Sequence, residues 1–350
     1  MTTVKSPKRS YVFIGPLAGS KPSGLSIPFV ELKDYLDLYD CDLRFIDSNS
    51  ENYRYKFQML LEIYLRVIFS KRGSHISLHG SLSDFKYIPP ALLVRHFLNG
   101  GDFSLRKFAG SFYRDFERIN VIYRFFISRA LRLSTANFFE TKNNLQKFQH
   151  YNESTYLFPN TRRQSEFVAS PPAEGMPLKI LYLGRVISEK GLRDLVEACQ
   201  NSDDVSLTII GRAEEESLEG FLNKSSLTIN RITDLHREEV YQTIAGHHCL
   251  ALPSYYPSEG IPGAVLEAFM CGLPVVVSNH NELPDLCQDA GEICEIRDPY
   301  SIQQAIVKIR QSWREKHKCA LSRGKIFQSD VVFESCLATL GMFRDEGSNE

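Results

Sequence analysis

At 350 residues, with 43% hydrophobic and 24% charged residues, the chain is long enough for two domains of about 150 residues each and too apolar to be disordered. Its formal net charge of −1 hides an asymmetry: residues 1–170 hold 24 Lys and Arg against 15 Asp and Glu, and residues 171–350 hold 17 against 27. An acidic second half, and basic residues in the first that follow no recognition motif, exclude a nucleic-acid binder.

In chain order, YVFIG (11–15) predicts a first strand, followed by a Gly/Ser/Pro loop over 16–24 and a helix over 25–39. LRFID (43–47), a helix over 53–71, HISLHG (75–80) and a helix over 88–99 continue the alternation. FSLRKF (103–108), a helix over 114–132, ANFFE (136–140) and a helix over 141–149 complete this half. Residues 158–177, rich in Pro, Ser and charge and without periodicity, predict a linker. The pattern then restarts with LKILYLG (178–184), a helix from Lys190, VSLTIIG (205–211), a strand at 228–232, a helix near 236–245, CLALPS (249–254), a helix near 262–271 and PVVVS (274–278). GEICEI (291–296) and a helix over 299–310 follow, and a last helix is expected over 328–343.

Strands alternating with helices predict parallel α/β sheets, and two such series predict two Rossmann-like units facing across a cleft. The loops after the strands, at 15–24, 79–83, 109–113, 184–190, 211–215 and 254–263, are then expected to line one site.

Eight cysteines show no CxxC and lie mostly in apolar runs, which predicts buried free thiols in a reducing compartment and no structural zinc. The opening residues hold only a four-residue apolar run, too short for a signal-peptide core, and no stretch approaches the roughly 18 apolar residues of a membrane span. The expected location is cytoplasmic, or peripheral at the inner face of a membrane. Asp40-Cys41-Asp42 formally matches a metal-binding Asp-x-Asp, but it sits between a helix and a strand in the wrong architecture, and no metal is expected there.

YLGRVISEKGLRDLV (182–196) sets Arg185 just past a strand end and Lys190 five residues on. Two cations beside a helix start make a pyrophosphate receptor, although either alone reads equally as a polar loop residue. PSYYPSEGIPGAVLEAFMCGLPVVVS (253–278) reads as strand end, loop, helix, glycine stop and strand, with Pro262 in the first helical turn and Gly272 and Pro274 ending it. The N–H groups of Gly263, Ala264 and Val265 would be free at the helix start. Glu267, inside an otherwise apolar helix, needs a partner, and a ligand hydroxyl pair would serve.

Glu259 and Glu267 in E-x7-E spacing, Cys271-Gly272-Leu273-Pro274, Pro253-Ser254, Gly184-Arg185 and Lys190-Gly191 together resemble the retaining GT-B glycosyltransferases of family 4. The resemblance covers roughly residues 178–310; over 1–170 only architecture and loop placement match. It implies a GT-B fold with an acceptor-binding domain over 1–165, a nucleotide-sugar-binding domain over 173–327, and a C-terminal segment over 328–345 whose helix crosses back to the first domain.

The implied activity is that of a retaining hexosyltransferase, moving a sugar from a nucleotide-sugar donor to a glycan or polyprenyl-diphosphate-linked acceptor in surface polysaccharide biosynthesis, with no cofactor or metal. Arg185 and Lys190 would neutralise the donor diphosphate and Glu259 would bind its sugar, these three forming the catalytic set. Glu267 would hold the ribose, and Ile232 and Thr233 would contact the base through their backbone. Gly15, Gly184, Gly211, Gly260, Ile261, Pro262 and Gly263 would complete the donor cradle. His79, Gly110 and Ser111 would meet the acceptor. The excess positive charge of the first half suits a lipid-diphosphate acceptor on an anionic inner membrane surface. The other readings are a two-lobed sugar or nucleotide-sugar binding protein and a catalytically inactive GT-B scaffold.

Overall fold

The structure is a computed structural model that describes residues 10–19, 26–39, 42–200, 202, 204–233 and 235–342. It divides into two units, Met1–Thr161 with Ser329–Glu350, and Arg162–Gln328.

In the first unit, β1 (Tyr11–Gly15), α1 (Ser26–Leu36), β2 (Leu43–Asp47), α2 (Lys56–Ile68) and β3 (His75–Gly80) come first. They are followed by α3 (Leu82–Tyr87), α4 (Pro89–Asn99), β4 (Phe103–Lys107), α5 (Phe112–Arg118), α6 (Val121–Leu133), β5 (Ala136–Phe139), α7 (Lys142–Phe148) and β6 (Thr155–Leu157). The six strands form a parallel sheet in the order β2-β1-β3-β4-β5-β6. Side chains of a strand alternate between its two faces, so Val12 and Ile14 enter a core shared with α2, α4 and α6. Tyr11 and Phe13 enter a second core with Phe29 of α1. A sheet covered on both faces buries both sets of side chains, so every residue of β1, β3, β4 and β5 is buried, polar ones such as His79 and Arg106 included, while the edge strands β2 and β6 are partly exposed.

Two local signals split what the sequence suggests is one helix over 114–132. Ile119 is extended (φ −73°, ψ 155°), and the Asn120 side chain caps the Ile122 N–H, so α5 stops and α6 restarts. α3 was not predicted; it starts on a capping box in which Ser81 and Asp84 satisfy each other's backbone N–H groups.

In the second unit, β7 (Leu178–Leu183), α8 (Leu192–Gln200), β8 (Val205–Ile210), α9 (Glu216–Lys224), β9 (Ile229–Ile232), α10 (Val240–Ala245) and β10 (Cys249–Leu252) lead. α11 (Gly263–Met270), β11 (Val275–Ser278), α12 (Leu283–Cys287), β12 (Gly291–Cys294) and α13 (Pro299–Ile326) complete it. Its sheet is again parallel, ordered β12-β11-β10-β7-β8-β9. α13 runs 28 residues with a kink at Ser312, well past the expected end at 310, because Trp313, Ala320 and Gly324 continue its buried stripe. After it, α14 (Ser329–Ala338) belongs to the first unit, where Val332, Phe333 and Leu337 join the core of Tyr11 and Phe13.

The predicted linker is mostly not a free tether. Arg162 is 4% exposed, Ala169 lies in the second unit's core, and the Ala169 N–H donates to Cys271 O at 2.8 Å.

Candidate functional site

In a parallel sheet the strand order reverses at one point, and the loops after the two strands there splay apart and leave room for a ligand. In the second unit that point lies between β7 and β10. Arg185 and Lys190 lie in the loop after β7, and Ser254, Tyr256 and Glu259 in the loop after β10.

Lys190 is not at the start of a helix, as its spacing suggests. It ends a 3-10 turn, Ser188–Lys190, and α8 begins only at Leu192. Gly191 between them is left-handed (φ 71°), and a Cβ there would lie 2.1 Å from Pro253 O, so only glycine lets the two loops touch. That contact brings the Lys190 ammonium to Glu259 Oε2 at 2.6 Å, with side chains 13% and 7% exposed. Ser254 Oγ–H donates to the same oxygen.

Arg185 is half-exposed and meets Glu214 in a two-pronged pair, Nε to Oε1 at 2.9 Å and Nη2 to Oε2 at 3.1 Å. Donating these hydrogen bonds to the Glu214 carboxylate pushes the Arg185 pKa up. A pair this exposed adds little stability, so a bound phosphate can replace Glu214 cheaply. Both cations lie over one ring: Arg185 Cζ is 5.7 Å and Lys190 Nζ 5.5 Å from the Tyr256 centroid. The Tyr182 hydroxyl donates to Arg185 O at 2.6 Å and fixes the backbone there. Ser188, through its N–H and hydroxyl, holds Glu215, whose carboxyl pKa is thereby lowered.

The loop carrying Glu259 is braced from the end of β11 and the segment after it. Asn281 Nδ2 donates to Glu259 O at 3.2 Å, His280 Nε2 lies 3.0 Å from Tyr256 O, and Ser278 Oγ–H donates to Ser254 O. Gly260 is buried, and Ile261 packs against the core. Gly184 and Gly211 sit just past β7 and β8; their N–H groups donate to Ile210 O and Ile232 O, so the Ile232 carbonyl is already engaged, while Thr233 is exposed.

The start of α11 differs from the expectation. Pro262 is the extended cap (φ −69°, ψ 131°) rather than a helical residue, and the Val265 N–H donates back to Pro262 O at 3.1 Å. Of the expected donor set, that one is therefore not free. Glu267 finds its partner within the protein: Arg162 Nε–H donates to Glu267 Oε1 at 2.7 Å, with side chains 5% and 15% exposed. A Cβ on Gly263 would lie 1.6 Å from Arg162 Nη2, so this glycine makes room for the guanidinium. Glu267 Oε2 makes no hydrogen bond among the described residues.

In the first unit the strand order reverses between β1 and β3. A cavity of about 190 Å³ opens there, lined by Pro16, Ser48, Asn49, Ser50, Lys56, Met59, Ser81, Ser83 and Asp84. Asp84 accepts from the Ser81 N–H at 2.7 Å and the Ser81 hydroxyl at 2.8 Å, and burial raises its carboxyl pKa. Lys56 Nζ donates to Ser83 Oγ at 3.0 Å. Pro22-Ser23-Gly24 of the glycine-rich loop, and Asp40-Cys41, lie outside the described residues.

None of the residues assigned to the acceptor lines this cavity. Gly110 is buried, and Ser111 donates to Asp115 Oδ2 at 2.7 Å. Gly15 is buried under Phe29, whose ring would meet a Cβ there at 2.5 Å. His79 is 1% exposed, because strand alternation turns it into the core, within ring contact of Phe13, Phe29, Phe108 and Phe158. Its Nε2 meets Ser77 Oγ at 2.9 Å. Nearby, the guanidinium of buried Arg106 lies 3.4 Å from the Phe158 centroid, and its pKa is pulled down to about 9 by burial.

Burial, and then the charge of Arg106, hold the His79 pKa well below 6.5. The unfolded chain therefore binds a proton below pH 6.5 that the folded chain refuses, and stability present above that pH falls as the pH drops. His79→Gln should flatten the acid side of the unfolding free energy against pH, measured by urea denaturation, by up to about 1.4 kcal/mol per pH unit between pH 6.5 and 5. An unchanged slope would place a charged imidazole in the core.

Residues 163–321 match the family model described as glycosyl transferases group 1. The O-antigen chain mannosyltransferase B of Escherichia coli is 27% identical over 203 residues, which cover 49% of this chain and 49% of that protein, so the match spans about half of the relative's length. Among solved structures, a lipopolysaccharide outer core galactosyltransferase in its apo form matches with a TM-score of 0.68 at 15% identity, covering 95% of this chain and 99% of that one. Anabaena Alr3699/HepE in complex with UDP-glucose matches with a TM-score of 0.70 at 13% identity, covering 95% and 100%. The two parallel six-stranded α/β units of this chain have the GT-B fold of these proteins, and residues 163–321 carry the match to the glycosyl transferases group 1 model.

Proposed function

We propose that the protein transfers a sugar, with retention, from a nucleotide-sugar donor to a glycan or polyprenyl-diphosphate-linked acceptor in surface polysaccharide biosynthesis, working at the cytoplasmic face of a membrane and without a metal ion. The observation that carries this reading is the meeting of Arg185 and Lys190 over Tyr256 at the strand-order reversal of the group 1 domain. Names of similar proteins support it: one is an O-antigen chain mannosyltransferase, and another was solved in complex with UDP-glucose.

Breaking the sugar–phosphate bond puts negative charge on the departing diphosphate. Fixed cations therefore stabilise the transition state more than the ground state. Arg185 would leave Glu214 for a phosphate, while Lys190 would hold the other phosphate and keep Glu259 in place. Glu259, already bonded by Lys190 and Ser254, is better suited to accept hydrogen bonds from sugar hydroxyls than to attack the anomeric carbon. A diphosphate oxygen would then take the proton of the incoming hydroxyl on the same face, which retains configuration. Glu267 Oε2 would accept from the ribose. In the first unit, the hydroxyl-lined cavity around Asp84 would hold an acceptor sugar, replacing the assignment to His79, Gly110 and Ser111.

A panel of nucleotide-sugars tests the donor. One of them should raise the melting temperature and be slowly hydrolysed without acceptor, a ligand at 100 times its Kd adding about 2.7 kcal/mol of stability. A panel that neither binds nor is hydrolysed would sink the reading.

A further inference from the structure

We propose that the outer face of α2, α4 and α6 in the first unit is a docking surface for an anionic phospholipid bilayer. The three helices are neighbours, α2 against α4 and α4 against α6, and form one layer over the sheet. Their inner sides fill the core, but their outer sides are not the polar faces such helices ordinarily show. On α2 and just beyond it, Phe57, Leu61, Leu65 and Phe69 recur every fourth residue and are 49–78% exposed. On α4, Phe97 and Leu98 are 65% and 68% exposed. On α6, Val121, Ile122 and Phe125 are 66%, 61% and 61% exposed. Single exposed apolar side chains are ordinary, whereas nine on three adjacent helices form the kind of patch that marks a binding surface.

Charge selects the occupant. Residues 54–72 hold five Lys and Arg against one acid, and residues 117–132 hold four against one. The acid of the first stretch, Glu62, is paired with Arg66 at 2.7 Å. Beside Phe69 a groove of about 550 Å³ is lined by Arg44, Arg66 and Lys71 as well as Leu65; Arg66 and Lys71 there hold exposed acidic partners, Glu62 and Asp42, that a lipid phosphate can replace at little cost. Aromatic and aliphatic side chains amid arginines are what a surface needs to sink into the headgroup boundary while its cations meet phosphates. A second copy fits worse, since a two-fold contact through this patch would set the two basic rims against each other. No helix among the described residues is long and apolar enough to cross a membrane.

The test is co-sedimentation of the full chain with phosphatidylglycerol–phosphatidylcholine vesicles and with pure phosphatidylcholine vesicles, alongside donor hydrolysis without vesicles. The protein should sediment with the anionic vesicles, less at high salt, and much less with the neutral ones. F97E/F125E should lower the partition coefficient at least about tenfold while leaving the melting temperature and donor hydrolysis unchanged. A wild-type protein that stays in the supernatant, or a variant that binds as wild type, overturns the proposal. So does a dimer in solution that these substitutions dissolve, which would assign the face to a second copy. Vesicle binding without donor hydrolysis would instead count against the glycosyl-transfer reading and leave the docking surface standing.

Discussion

Lys190→Ala is expected to lower the turnover of the nucleotide-sugar donor by about 10²- to 10³-fold, the loss typical when one fixed donor to a developing anion is removed. The substitution also strips Glu259 of its cation in a site where that carboxylate is 7% exposed, and leaving a buried charge unpaired costs about 3–5 kcal/mol. A slow variant could therefore be slow because the loop between β10 and α11 has come apart. Lys190→Ala with Glu259→Gln separates the two effects. An amide carries no charge to strand and can still accept from the Ser254 hydroxyl, so the double variant should regain most of the lost melting temperature. Its turnover should stay down, because the leaving diphosphate still lacks its cation. If turnover returned with stability, Lys190 would be a structural partner of Glu259 and no more.

How much of this site was legible in the sequence follows from which residues act locally. Strands at the sheet centres, such as Tyr11–Gly15, Cys249–Leu252 and Val275–Ser278, are short apolar runs buried on both faces, and every described strand but β6 is legible in the sequence to within two residues. α9 and α12 were missed: α9 begins Glu-Ser-Leu-Glu and buries only Leu218 and Leu222, and α12 is a five-residue turn around a proline. The position of Lys190 was read correctly in the chain and wrongly in the fold, since the left-handed Gly191 ends a 3-10 turn where a helix start was expected. Glu214, Asn281 and Arg162 escaped notice altogether. Their roles depend on groups 29, 22 and 105 residues away, and no local period records such distances. Glu267 did carry a signal, a carboxylate in an apolar helix, but whether a ligand or the protein answers it could not be read from spacing.

The pair that answers it carries the second large expected effect. Arg162→Leu removes the cation beside Glu267, where the two side chains are only 5% and 15% exposed, and should destabilise the second unit by about 3–5 kcal/mol in urea denaturation. Glu267→Gln should cost less, about 1–2 kcal/mol, because its side-chain carbonyl still accepts from Arg162 Nε–H. Replacing both by leucine removes the buried charges together and should restore much of the stability lost in either truncation. The kinetic readout then divides the roles of Glu267. If Oε2 grips the ribose, Glu267→Gln and the double leucine variant should both raise the donor KM by about tenfold or more, the value of roughly one hydrogen bond to a charged group. A donor KM that stays at the wild-type value in the restored double variant would make Arg162 and Glu267 a clasp that fixes the entering chain to α11, with the ribose held elsewhere.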